Sequence, residues 1–162
     1  MYISFDQLSP TSKIWIYQAE KAFTAEQVTW LSQELKSFTH NWESHGIPLT
    51  SSFQIQDNQF IILGVESNSH EASGCSIDKS VDLIKSFENR LSITLLDRSQ
   101  VMIKTNNQLQ LIPFKQLKER VQDNILTPET LIYNNSIATI SELSNDWLKP
   151  AKDTWLSKYF NN

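Results

Sequence analysis

The chain is poor in cysteine and in glycine, and each scarcity excludes a class of protein. The single cysteine, Cys75, rules out an internal disulfide framework, which small secreted domains commonly use. The three glycines, Gly46, Gly64 and Gly74, are not spaced as a phosphate-binding P-loop requires, and none is followed by Lys-Ser or Lys-Thr. We therefore expect neither a disulfide-stabilised scaffold nor ATP hydrolysis by a P-loop mechanism.

Long apolar runs and clusters of positive charge are also missing. No run reaches the roughly 18 apolar residues that a membrane span needs, and residues 1–10 lack the basic-then-apolar order of a signal peptide. The 14 Lys and Arg residues are scattered through a chain of net charge −4, which disfavours a phosphate-binding face. We expect a cytoplasmic protein with no membrane insertion and no nucleic-acid partner.

Spacings typical of metal sites are absent from the sequence. The three histidines, His40, His45 and His70, form no H-E-x-x-H pattern, and a single cysteine cannot form C-x-x-C. Scattered histidines are more often surface or capping residues than metal ligands. We therefore expect no metal and no cofactor.

The residues that are present predict a real hydrophobic core and one long helix. Hydrophobic types make up 40% of the 162 residues, enough for a single domain with a core. Thr24 and Gln27 form the capping-box pattern, and Phe23 and Val28 form the hydrophobic-staple pattern. A continuous apolar face follows at spacings of three and four: Val28, Leu31, Leu35, Phe38 and Trp42. We expect this helix to span residues 25–42.

The order of the remaining elements predicts an α+β fold. Strand patterns cover residues 13–18, 52–56, 59–65, 101–104, 109–112 and 130–133. A second helix is expected from about Ser76, a short helix opened by Pro113 with Phe114 and Leu117 on one side, and a helix over 141–148. The order βαββαβ through residue 104 is that of a ferredoxin-like sandwich, here extended by a C-terminal hairpin and short helices. We expect one domain, 1–162, with 141–162 a helical extension packed on its core.

One candidate site lies at Ser73-Gly74-Cys75-Ser76, where a strand-like run gives way to the second helix. A thiol at a helix N-terminus is favoured as the reactive thiolate, and His45 or His70 would be the base that a Cys75-dependent enzyme or thiol sensor needs. Asp78 opposes this, since a nearby carboxylate disfavours the thiolate. The alternative interpretation is that Cys75 is a small buried residue that closes a strand-to-helix turn.

The same helix start has two further interpretations. Ser76 as N-cap with Asp78 in the first turn is ordinary capping chemistry. Ser73, Gly74, Ser76 and Asp78, with free backbone N–H groups, would instead hold a small ligand, although the charge of Asp78 opposes an anion there. Arg98 either pairs with the neighbouring Asp97 or binds an anion.

Aromatic residues outside the helical stripes suggest a partner surface. Trp30 lies off the apolar face of the first helix and is expected to be exposed, and Trp155, Tyr159 and Phe160 crowd the C-terminal tail. These side chains either form a second core beneath the tail or contact a partner protein or a second copy of the chain.

Several motifs, taken together, resemble a known family. The resemblance is carried by 1–5 (MYISF), 15–18 (WIYQ), 42–46 (WESHG), 73–78 (SGCSID), 96–98 (LDR) and 150–155 (PAKDTW). The family consists of small Bacteroidetes proteins of about this length that are often labelled "ABC transporter ATPase". The label implies a transporter-associated role, but the glycine spacing above and the missing Leu-Ser-Gly-Gly-Gln signature do not fit an ATPase.

Three hypotheses for function follow. The first is a non-enzymatic binding or interaction module, a homodimer or a transporter-associated accessory protein that binds a protein partner. The second is the Cys75-dependent enzyme or thiol sensor, and the third is small-ligand binding at the start of the second helix.

Overall fold

The computed structural model describes residues 1–161, which divide into two compact units. The first unit is Met1–Leu96 with Ala138–Ser141, and the second is Asp97–Ile137 with the chain from Glu142 onward. The expectation of one domain with 141–162 as an extension stays a prediction.

The first unit is built from a three-stranded sheet and two long helices. Its elements are β1 (Lys13–Gln18), α1 (Ala25–Asn41), β2 (Glu43–Ser44), β3 (Ile47–Pro48), β4 (Ser51–Gln56), β5 (Phe60–Val65) and α2 (Gly74–Leu91). All six residues of β5 are buried, and β5 pairs antiparallel with β1 on one side and with β4 on the other. The strand order β1-β5-β4 therefore puts the nearly all-apolar run in the centre, as its composition predicts.

The two faces of this sheet alternate along each strand. Ile61, Leu63 and Val65 of β5 face a core that contains Leu31 of α1 and Ile84 of α2. The capping box of α1 forms as the sequence predicts, because the Thr24 side chain accepts from the Gln27 amide and the Gln27 side chain accepts from the Thr24 amide.

Gly64 lies in the central strand on the opposite face, where a 3₁₀ turn (Phe5–Gln7) covers it. A Cβ at position 64 would lie 2.5 Å from Cδ1 of Leu8 and 3.7 Å from Cε2 of Phe5. Any larger residue at position 64 would therefore require the Leu8 side chain to move, and glycine permits this close approach of the N-terminal segment to the sheet.

The second unit contains a four-stranded antiparallel sheet. Its elements are β6 (Gln100–Thr105), β7 (Gln108–Pro113), α3 (Leu117–Gln122), β8 (Leu131–Tyr133), α4 (Ile140–Asn145, which begins in the first unit's 138–141 segment) and β9 (Leu148–Pro150). The strand order is β7-β6-β8-β9. Asn106 and Asn107 have φ of 50° and 62°, so they form a two-residue hairpin turn between the two strands that the sequence predicts. The core contains Val101, Ile103, Ile112, Leu117, Leu126, Ile132, Ala151 and Leu156.

The mixed α and β character with antiparallel sheets is confirmed, but the strand order does not confirm the ferredoxin-like topology. The expected fourth strand, 101–104, pairs with β7 and β8 in the second sheet instead of with β1. The outer edge of β1 meets the segment around Thr139, where Ile14 N–H donates to the Ala138 carbonyl. Within residues 1–161, no helix combines the length and apolarity that crossing a membrane requires.

Candidate functional site

The start of α2 is a tightly capped turn. Ser73 is the N-cap, and its Oγ accepts a hydrogen bond from the Ser76 amide at 3.2 Å. Ser76 is buried, and its Oγ donates back to the Ser73 carbonyl at 2.8 Å. The prediction of Ser76 as N-cap is therefore wrong, since the N-cap lies three residues earlier at Ser73 and the helix begins at Gly74. The hydroxyls that were candidates for a ligand are instead bonded to one another and to the backbone.

Cys75 is exposed in the first turn of α2. The interpretation of Cys75 as a buried residue is therefore wrong. The reason is local, because Ser76 and Ser80 turn inward and Cys75 occupies the outward face of the turn. The thiol is accessible to reagents in the folded protein.

The hairpin formed by β2 and β3 lies beside the start of α2. The indole N–H of Trp42 donates to the Ser76 carbonyl at 2.8 Å, and Lys79 Nζ lies 3.9 Å from a Glu43 carboxylate oxygen. His45 is at the tip of this hairpin, exposed and in a left-handed conformation with φ of 52°. The turn that carries His45 therefore belongs to a hairpin that contacts α2 through Glu43 and the preceding Trp42.

The other candidate residues lie at separate places. His70 is half-buried in the loop before α2, and its Nε2 is buried without a hydrogen-bond partner among residues 1–161. Asp78 is exposed on α2, and Arg98 is exposed in the second unit. Whether Cys75, His45 and His70 act together in catalysis, and whether Arg98 binds an anion, stay predictions.

A hydroxyl and carboxylate cluster that the sequence did not reveal joins two loops of the first unit. Glu66 accepts from the Ser9 amide at 2.9 Å, from the Ser9 hydroxyl at 2.6 Å and from the Asn68 amide at 3.1 Å. Burial raises the pKa of Glu66, but these bonds and one from Ser12 outweigh it and hold the pKa below its usual range. Because its carboxylate is already bonded, this cluster is a structural clamp between the turn before β1 and the loop after β5.

An open groove of about 470 Å³ runs along the outer face of α1. It is lined by Tyr2 and by polar side chains of the helix, among them Lys36 and His40. The ammonium of Lys36 lies 5.5 Å from the Tyr2 ring centroid, so the lysine that lines this groove already makes a cation–π contact.

The most distinctive surface feature is a pair of exposed aromatic rings in the second unit. Phe114 is 43% exposed and Trp155 is 44% exposed, and their rings stack edge to face with centroids 5.2 Å apart. The ammonium of Lys158 lies 5.9 Å from the Trp155 ring and 5.4 Å from the Tyr159 ring. We call Phe114, Trp155, Lys158 and Tyr159 the aromatic surface.

Buried neighbours in the chain hold the aromatic surface in place. Leu156 is fully buried in the core of the second unit, so the 3₁₀ helix Trp155–Tyr159 must turn Trp155 outward. The Thr154 hydroxyl caps this helix by accepting from the Leu156 amide at 3.2 Å. Leu117, also fully buried, fixes the end of the 3₁₀ turn that carries Phe114.

Two sequence-based expectations about aromatic residues need correction. Phe114 is predicted to share one side of its helix with Leu117, but Phe114 is exposed at the start of the 3₁₀ turn at 114–116 whereas Leu117 is fully buried. Trp30 was expected to be exposed, but it is half-buried against Phe87 of α2 at 5.5 Å, with the Arg90 guanidinium 5.8 Å from its ring. Tyr159 and Phe160 pack partly on the second core, and contact of the tail with a partner stays a prediction.

The segments that carry the aromatic surface contain more lysines than acidic residues, although Lys152 lies 4.0 Å from a Glu129 carboxylate oxygen. The segments 114–118 and 151–159, which carry its rings, contain four lysines and one aspartate. Lys115, Lys118 and Lys152 are exposed, as is Lys158. The first unit, by contrast, contains 6 Lys and Arg residues against 11 Asp and Glu residues.

No family model, curated protein or solved structure matched the chain when it was compared with each. Within residues 1–161, no group of three or more His, Cys, Asp and Glu side chains is arranged to hold a metal ion.

Proposed function

We propose that this protein is an interaction module whose aromatic surface binds an acidic segment of a partner protein. The observation that carries the proposal is the stacked pair Phe114 and Trp155, each more than two-fifths exposed. Tryptophan and other aromatic residues are enriched among the side chains that dominate binding energy at protein interfaces. Two such rings, held by a buried leucine on either segment, form a rigid anchor that loses little conformational freedom on binding.

Charge complementarity gives the chemistry of the partner. The lysines around the two rings would attract Asp and Glu side chains, while the rings would contact an apolar residue of the same segment. A segment that alternates acidic and large apolar residues fits both requirements. The long lysine side chains can lie along the partner's apolar groups while their ammonium groups pair with its carboxylates.

Selection from a display library of short random peptides tests this proposal. The wild-type protein and the Phe114→Ser/Trp155→Ser double variant would be used as targets in parallel. We expect the wild type to enrich acidic peptides that contain a large apolar residue. These peptides should bind the double variant at least about tenfold more weakly, since loss of an aromatic anchor commonly costs more than 1.4 kcal/mol.

Matched variants separate a specific effect from a general one. Ile47→Ser removes an equally exposed apolar side chain from the first unit, where Ile47 is 48% exposed, and should leave peptide binding unchanged. Lys158→Glu should weaken binding, and added salt should do the same. Unchanged circular dichroism and melting temperature would show that the variants fold. Enrichment of basic peptides, or equal affinity for the double variant, would contradict the proposal.

This surface chemistry does not identify the partner protein. The transporter association that the family resemblance implies offers one candidate. An acidic cytoplasmic segment of a transporter subunit would meet the requirement. Binding of such a segment with the same dependence on Trp155 would support that association.

A further inference from the structure

The outer edge of β7 is an unpaired strand edge without charged side chains. Among residues 1–161, β7 pairs with β6 alone and ends the order β7-β6-β8-β9. Gln108 and Gln110 are exposed, and Leu109 and Leu111 are half-buried. Its sequence, Gln-Leu-Gln-Leu-Ile-Pro, contains no charged residue, although charged side chains are the common device that keeps sheet edges from pairing.

The hairpin geometry shows which backbone groups point outward from β7. In a hairpin with a two-residue turn, the closing pair, here Thr105 and Gln108, exchanges hydrogen bonds, and every second pair along the ladder does so. The bond from the Phe114 amide to the Ser99 carbonyl at 2.9 Å continues this alternation. Leu109 and Leu111 therefore direct their N–H and C=O groups away from β6, toward the open edge.

The pattern of side chains around these groups is self-complementary. If a second β7 pairs antiparallel with Gln110 opposite Gln110, Leu109 of each copy lies opposite Leu111 of the other. Like residues then meet at the centre of the pairing: leucine faces leucine on one side of the sheet, and the two Gln110 amides can bond each other on the other side. Gln108 faces Ile112 at either end. Pro113, which has no N–H to donate, ends the pairing at one end.

From this geometry we propose that two copies of the chain associate through β7, which joins their four-stranded sheets into one continuous antiparallel sheet. The two-fold axis passes beside Gln110. Leu109 and Leu111 supply the outward hydrogen bonds, and the absence of charge on the strand removes the repulsion that would oppose self-pairing. This association is independent of the aromatic surface.

Disulfide trapping in a Cys75→Ser background tests the pairing directly. Gln110 opposite Gln110 is a non-hydrogen-bonded pair, in which Cα atoms lie about 4.5 Å apart, within the range that a disulfide spans. Gln110→Cys should therefore form a covalent dimer under mild oxidation. Gln108→Cys, equally exposed on the same strand, would face Ile112 of the second copy and should remain monomeric under the same conditions.

Charge variants test the same register without a covalent bond. Analytical ultracentrifugation over a range of concentrations should show a wild-type dimer. Gln110→Lys should shift the midpoint of dissociation to a several-fold higher concentration, whereas Gln108→Lys should shift it less. An equimolar mixture of Gln110→Lys and Gln110→Glu should restore the dimer. A wild-type protein that stays monomeric at all concentrations, or equal trapping at positions 108 and 110, would overturn the proposal.

Discussion

Replacing Trp42 with phenylalanine tests how the first unit holds the start of α2. Trp42 is 2% exposed, packs against Phe38 and Trp15 with ring centroids 5.0 and 6.0 Å away, and donates its indole N–H to the Ser76 carbonyl at 2.8 Å. Loss of that bond should cost about 1 kcal/mol, and the void beside a smaller ring should add about 1–2 kcal/mol. We therefore expect Trp42→Phe to lower the free energy of unfolding by about 2–3 kcal/mol.

Urea denaturation followed by far-ultraviolet circular dichroism measures this change without relying on tryptophan fluorescence. Trp155→Phe is the matched control, because it makes the same substitution on an exposed ring and should change the free energy of unfolding by less than about 0.5 kcal/mol. If the two variants were equally stable, the indole bond and the packing around Trp42 would not anchor α2, and the reasoning would be refuted.

Two further predictions concern Glu66 and Cys75. Because its folded-state pKa lies below the unfolded value, Glu66 stabilises the fold above the unfolded pKa, and this contribution is lost as pH falls through the folded pKa. Glu66→Gln should thus lower the free energy of unfolding by about 1–2 kcal/mol at neutral pH. The difference in stability from wild type should shrink in melting curves below about pH 4. A difference that stayed constant with pH would contradict a hydrogen-bonded carboxylate at this position. Cys75 should react stoichiometrically with a thiol reagent in the native protein, and a need for denaturant would show that it is not exposed.

Local signals in the sequence predicted local structure well. The capping box at Thr24 and Gln27 sets the start of α1, and the Asn106-Asn107 turn sets the register of β6 and β7. Both depend on hydrogen bonds between residues a few positions apart, which sequence spacing determines directly. The buried centre of the first sheet was equally clear, because β5 is an uninterrupted apolar run.

Contacts between residues far apart in the sequence could not be predicted in the same way. The apolar pattern of 101–104 identifies a strand but not the sheet that receives it, and that strand joined the second sheet. At the start of α2, Ser73 and Ser76 are both suitable caps by residue type, and the structure uses Ser73, while the Ser76 carbonyl accepts the distant Trp42 indole N–H. Phe114 is exposed while Leu117, three residues later, is fully buried, and apolar spacing alone does not distinguish the two positions.

The indole resonances of the tryptophans offer the most direct test of the aromatic surface as a binding site. The chain has five tryptophans, and in a ¹⁵N–¹H correlation spectrum each indole N–H can be assigned by single substitution. On titration with an acidic peptide selected by the wild-type protein, the Trp155 resonance should shift progressively to saturation while the buried Trp42 resonance stays in place. A saturable shift at Trp42 with none at Trp155 would contradict the proposed function.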